Sequence, residues 1–162
     1  MAASNSIRLN EASSCQVFET ETLRPQQRFQ MPDVISSVTW SNDSNLILIG
    51  VNKRGAAFAR NVYDPSWNCK VDEGLAGLSH CRWSPSGRHI LTISEMRLRL
   101  TIWNLVNQSV QYVPCPKHGD SAGIDFNQDG TLMAVILKNT EDTVEQVVAG
   151  AAGGDVIALF DS

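Results

Sequence analysis

An all-β chain made of repeated four-stranded antiparallel sheets is the fold class that the 162 residues predict, on three observations. A short apolar segment ending in an aromatic recurs at Trp40, Trp83 and Phe126, each 43 residues from the next. Each is followed by a polar turn and a second apolar run: Leu46-Ile-Leu-Ile49, Ile90-Leu-Thr-Ile93 and Leu132-Met-Ala-Val-Ile-Leu137. No stretch of useful length repeats its apolar residues at the 3.6-residue helical period. A period of about 40–45 residues with four strands to the unit is that of β-propeller blades.

The elements follow in order. Residues 1–14 carry small and hydroxyl side chains and read as a flexible N-terminal segment, and residues 15–162 as blades beginning with an outer strand at Cys15-Gln-Val-Phe18. The repeat centres lie near 40, 83 and 126. Asn-Asp-Ser-Asn45, Ser-Pro-Ser-Gly87 and Asn-Gln-Asp-Gly130 are turns, in which Asp and Asn cap the backbone and Gly87 and Gly130 accept a positive φ. A third strand follows about twenty residues after the aromatic. Leu98-Arg-Leu-Thr-Ile-Trp103 shows it best, alternating apolar and polar residues with period two; Gly55–Arg60 and Val156–Phe160 take the same place in their units. Ser109-Val-Gln-Tyr-Val113 is a fourth strand. The last unit carries an insertion over 139–155, rich in Ala, Gly and acids. About three to four blades fit, fewer than most closed rings of four to eight, so the expectation is an N-terminal part of a longer propeller.

Composition narrows the function classes. With 43% hydrophobic and 19% charged residues the chain can bury a core, and its net charge of −4 argues against a dedicated nucleic-acid binder. The longest apolar runs are strand-sized, well short of a membrane span of about 18 residues. Met1–Leu9 lacks the apolar region of a secretory signal. Cys15, Cys69, Cys81 and Cys115 form no Cys-x-x-Cys pair and read as small hydrophobic residues, and Cys115-x-x-His118 has no second half-site, so no metal or other cofactor is expected. His80 reads as a structural hydrogen-bonding residue and His89 as solvated; His118 and Asp120 lie in a loop without a nucleophile. The glycine-rich run ending at Gly154 lacks the Lys-Ser/Thr of a phosphate loop. No enzyme emerges.

The arrangement resembles WD repeats, with Trp103 and Phe160 where that family carries its Trp. Within it, Asp64-Pro-Ser-Trp-Asn-Cys-Lys-Val-Asp-Glu-Gly74, Cys81-Arg-Trp-Ser-Pro-Ser-Gly-Arg-His-Ile-Leu91 and Lys53-Arg-Gly55 resemble the WD repeat-containing protein eight family, found at the spindle pole and centrosome. The likeness is dense from about Val34 to Tyr112. It implies a cytoplasmic, non-catalytic scaffold that binds proteins: a coiled-coil microtubule-anchoring partner and, in some lineages, a minus-end-directed kinesin. A WD-repeat scaffold of a ubiquitin-ligase or RNA-processing assembly, or an enzymatic or small-ligand propeller, are the alternatives. The Trp-Asp dipeptide and the Gly-His pair are absent, so the family's hydrogen-bond network of His, Asp, Ser or Thr and Trp is expected to be incomplete.

Partner binding is therefore assigned to surface candidates. Trp67 falls in what reads as a connection between blades, either tucked against the next blade or exposed as an anchor. Lys53, Arg54 and Lys70 form a modest basic cluster suited to an acidic partner. Arg97 and Arg99 alternate along a strand and read as shields against edge pairing. Trp40, Trp83, Trp103 and Phe126 are assigned to the core, and Asp72-Glu73 to a turn.

Overall fold

A computed structural model describes residues 13–118, 123–138 and 156–161. Most of the N-terminal segment, Asp120, the 139–155 insertion and its glycine-rich run lie outside the described residues. The strands are β1 (Ser14–Phe18), β2 (Pro25–Gln30), β3 (Ser37–Trp40), β4 (Leu46–Val51), β5 (Ala56–Asn61), β6 (Asn68–Asp72), β7 (Leu78–Trp83), β8 (His89–Ser94), β9 (Arg99–Asn104), β10 (Val110–Pro114), β11 (Ile124–Phe126), β12 (Leu132–Leu137) and β13 (Val156–Asp161). They form a hairpin β1-β2, two four-stranded sheets in the orders β3-β4-β5-β6 and β7-β8-β9-β10, and a three-stranded sheet β11-β12-β13. All pairings are antiparallel.

The 43-residue period holds through the register. Ile47 faces Arg60 and Ile90 faces Trp103 across equivalent strand pairs, and Met133 faces Phe160 in the third sheet. Strand β2 was not foreseen: in PQQRFQ only Phe29 is apolar and buried, too little alternation to read as a strand. Ser14 and Pro25 stand 43 residues before Ala57 and Asn68, so β1 and β2 are counterparts of β5 and β6. The first strand begins at Ser14 rather than Cys15 and is the inner partner of that hairpin. Gly87 and Gly130 do adopt positive φ, 70° and 72°; at the equivalent place in the preceding turn Ser44 bears a φ of 60°.

The core lies between sheets. Ile47, Ile49, Val51 and Phe58 pack on Val17, Phe29 and Met31 of the hairpin. Leu48, Ala57 and Ala59 point the other way and meet Cys81, Trp83 and Ile90. Leu91, Ile93 and Leu100 meet Ile124, Met133 and Val135. Both faces of β4 and β8 are covered, which is why their sequences are continuous apolar runs rather than alternations. Each such Leu or Ile contributes about 1.5–3 kcal/mol through burial.

Several expectations need correction. Trp40 is 48% exposed, not a core residue, whereas Trp83 is 8% exposed. The indole of Trp83 lies over the preceding sheet and donates from Nε1 to the Thr39 carbonyl at 3.3 Å; among the described residues no inner strand precedes β3 to do the same for Trp40. His89 is half-buried rather than solvated, and its Nδ1 has no hydrogen-bond partner among the described residues. Burial first, and Arg88 second, hold its pKa below the ordinary value. Arg99 shields no edge, because β9 lies between β8 and β10, and Arg97 sits in the turn before it.

The second four-stranded sheet holds a polar network that keeps the Thr and Trp of the family's kind and, as the missing Trp-Asp and Gly-His pairs led one to expect, not its His and Asp. Trp103 Nε1 donates to Thr92 Oγ1 at 2.7 Å, and Thr92 Oγ1 donates to Glu73 Oε1. Arg99 donates from Nε and Nη2 to Glu73 Oε2 at 3.0 and 2.9 Å. Glu73 is more than the turn residue expected of it: it is 3% exposed, and it and Arg99 stand where the network needs an acceptor and a partner charge. Tyr112 closes the outer side, with its ring centroid 4.9 Å from the Arg99 guanidinium carbon.

Candidate protein-interaction surface

Lys53 and Arg54 occupy a single 3-10 turn, Asn52–Arg54, that joins β4 to β5. Gly55 ends it at φ 64°, and a Cβ there would meet the Gly74 carbonyl oxygen at 3.1 Å, so this position needs a glycine twice over. Both cations converge on Asp33: Lys53 Nζ lies 3.6 Å from Oδ1, and Arg54 Nε donates to Oδ2 at 3.0 Å. The Val34 N–H in first place, then the two cations, hold the Asp33 carboxyl below the usual carboxylate range. Exposed pairs of this kind contribute about 0–1 kcal/mol, so they set charge geometry more than stability.

Lys70 lies on β6 and is paired with Asp72 at 2.6 Å. The basic cluster expected from sequence is therefore divided: Lys53 and Arg54 share one carboxylate, Asp33, and keep a net positive charge, while Lys70 is balanced by Asp72. Trp67 is likewise relocated. It closes the β5–β6 hairpin inside one sheet rather than a connection between sheets; that connection is 73–77. Asn61 Oδ1 accepts the N–H groups of Tyr63 and Asp64, Asp64 Oδ1 accepts that of Ser66, and the Asp64 carbonyl accepts that of Trp67, so the chain is folded to present the indole.

Half-buried, Trp67 packs against the cluster shared by the two four-stranded sheets. With Lys70, Trp103, Leu105 and Val110 it lines a groove of about 320 Å³ between β6 and the β9–β10 turn. One indole wall of that groove, Trp103, is held by the Thr92–Glu73–Arg99 network. The structure thus brings Trp67 and Lys70 together and ties Lys53 and Arg54 to Asp33. Sequence reasoning missed Trp103 as a wall of the groove. Glu73, which holds Trp103 through Thr92, carried a readable signal: an acid three residues after Lys70 and 19 before Thr92, at the link between repeats.

A second cavity of about 370 Å³ lies where β3, β7 and β11 approach, lined by Ser37, Asn52, His80, Cys81 and Arg82 among others. Its groups do not assemble into a reacting set. Burial pushes the Cys81 thiol up, which lowers its nucleophilicity, and its near polar partner is the Ser37 hydroxyl at 3.6 Å. His80 is exposed and its Nδ1 stands 2.6 Å from the carbonyl of the adjacent Ser79, and Arg82 Nη1 donates to the Ile124 carbonyl at 3.4 Å. Among the described residues no group of three or more His, Cys, Asp or Glu is placed to hold a metal ion. Cys81 is buried and Cys15, Cys69 and Cys115 half-buried, all as free thiols.

No protein-family model matches the chain. Over 117 residues, 72% of its length, it is 40% identical to WD repeat-containing protein WRAP73 of Mus musculus. The match covers 25% of that protein, so the chain spans about a quarter of the length of the curated relative it matches.

Proposed function

The chain belongs to the WD-repeat family, and on that premise we propose that it is a non-catalytic scaffold whose sheets and loops bind other proteins. The observation that supports this most directly is the groove at Trp67: a half-buried indole beside a second indole and a short ion pair, on a rigid sheet edge. Large aromatics in such settings are frequent anchors in protein interfaces. The 40% identity to a WD-repeat protein supports the same reading.

More specifically, the chain acts at the spindle pole or centrosome, where it helps to anchor microtubule minus ends with a coiled-coil partner and a minus-end-directed kinesin. Support comes from the likeness of the Trp67–Gly74 segment to the WD repeat-containing protein eight family and from the 40% identity to a WD-repeat protein. Live imaging of the endogenous protein with a fluorescent tag, through mitosis, tests the location. Foci that coincide with γ-tubulin are expected; a diffuse or nuclear signal at every stage overturns the spindle-pole reading. Affinity purification from the same cells tests the partners, and their loss with Trp67→Ala tests the groove.

A further inference from the structure

A second surface, separate from the Trp67 groove, is built by the turns at one end of the sheets. Two backbone hydrogen bonds and one from a side chain link these turns. Glu73 N donates to the Gly55 carbonyl at 2.9 Å, Glu95 N to the Gly77 carbonyl at 3.3 Å, and Arg97 Nη1 to the Lys117 carbonyl at 2.8 Å. A Cβ on Gly77 would meet the Glu95 side chain at 2.7 Å, so turns 73–77 and 95–98 are in contact.

Three large apolar side chains stand out from this joined set: Leu75 at 110% exposure, Met96 at 86% and Leu98 at 58%. Met96 and Arg97 are both left-handed, with φ 59° and 55°. The equivalent turn of the preceding sheet makes its left-handed step at Gly55 instead. A positive φ suits glycine, so side chains kept there in spite of the strain are candidates for function. The flanking charge is positive. Among the described residues of these turns Lys53, Arg54 and Arg97 outnumber Asp33 and Glu95, while Glu73 is consumed by Arg99 and the whole chain carries −4.

We propose that Leu75, Met96 and Leu98, flanked by Lys53, Arg54 and Arg97, form a docking surface for a protein segment whose apolar side chains are bordered by carboxylates. The proposal rests on the scaffold reading above and names the chemistry of one partner. Local positive charge on an acidic protein selects for an acidic segment through electrostatic complementarity, and the apolar tips supply the area that leaves water. A peptide is favoured over an anionic membrane because Asp33 and Glu95 are interspersed among the cations, a mixed local pattern that separate side chains of a peptide can match and a uniformly negative surface does not.

The test is a selection from a displayed library of random 16-residue peptides on the intact chain, followed by binding of the enriched peptides in solution. Enriched sequences are expected to be acidic with interspersed apolar residues. Their affinity is expected to fall at least tenfold in Met96→Ser and in Leu75→Ser, and to fall with added salt, while Trp67→Ala leaves it unchanged. All three side chains are partly or fully in solvent, and unchanged melting temperatures confirm that the variants fold. Peptides that are basic or uncharged, or that are lost only with Trp67→Ala, overturn this inference and leave the scaffold reading standing. Failure to enrich any peptide overturns this inference alone; the scaffold reading falls only if affinity purification also returns no partner. Co-sedimentation with phosphatidylserine vesicles that Met96→Ser abolishes replaces the protein partner with a membrane and also overturns it.

Discussion

The two four-stranded sheets share a backbone and a register, yet fill the same positions with opposite chemistry. Where the first has Ile49 facing Phe58, the second has Thr92 facing Thr101; where the first has Val51 and Arg60, the second has Ser94 and Trp103. The first presses its apolar face onto the β1-β2 hairpin. The second uses that face for hydrogen bonds that reach Glu73 in the preceding link. Apolar packing is non-directional and accepts any neighbour of the right volume, whereas a buried carboxylate must be met by specific donors. The difference gives the second sheet a fixed relation to the turn before it, and that turn carries Leu75.

The comparison breaks most visibly at the paired tryptophans. Trp83→Ala is expected to cost about 3–5 kcal/mol in urea unfolding, as for other buried tryptophans, against under about 1 kcal/mol for Trp40→Ala at the equivalent exposed site. Equal losses would show that Trp40 is covered in solution. Next, Glu73→Ala leaves Arg99 and Thr92 without their acceptor and is expected to cost about 2–4 kcal/mol, somewhat below the range for fully buried pairs because Arg99 is partly solvated. A loss within about 0.5 kcal/mol would mean that the network adds nothing to the sheet. Replacing the network as a unit, by Glu73→Met with Thr92→Val and Arg99→Met, sharpens the contrast. Apolar filling of the first-sheet kind is expected to recover the loss to within about 1 kcal/mol of the parent.

Smaller effects come from titration and surface charge. With its folded pKa depressed, His89 accepts a proton more readily in the unfolded chain, so stability rises with pH between the lowered value and the ordinary one of about 6.5. His89→Gln is expected to flatten the slope of melting temperature against pH in that interval; an unchanged slope assigns it to other groups. Asp33 has the same sign in acid: its depressed carboxyl supports the fold above the ordinary carboxylate value and loses that effect as the pH falls through its own.

The architecture was legible because it is periodic. The recurrence of Trp40, Trp83 and Phe126, the turns at Gly87 and Gly130, and the alternation before Trp103 each follow from local chemistry repeated at a constant interval. Strand β2 was not, since its single buried Phe29 gives no pattern. Among the surface candidates, residue type was readable and placement was not. Lys53, Arg54 and Lys70 are cations in any fold, but only the packed chain pairs the first two with Asp33 and the third with Asp72.

By itself, the amino-acid sequence determined the all-β class, the repeat interval and the turns, because strand alternation and positive-φ glycines act within a few residues of chain. Only the tertiary structure decided that Trp40 is exposed while Trp83 is buried, that Trp67 lines a groove with Trp103, and that Glu73 and Arg99 complete a network that lacks the family's His and Asp. These depend on which strands become neighbours across tens of residues, and on which charges lose their water when they do.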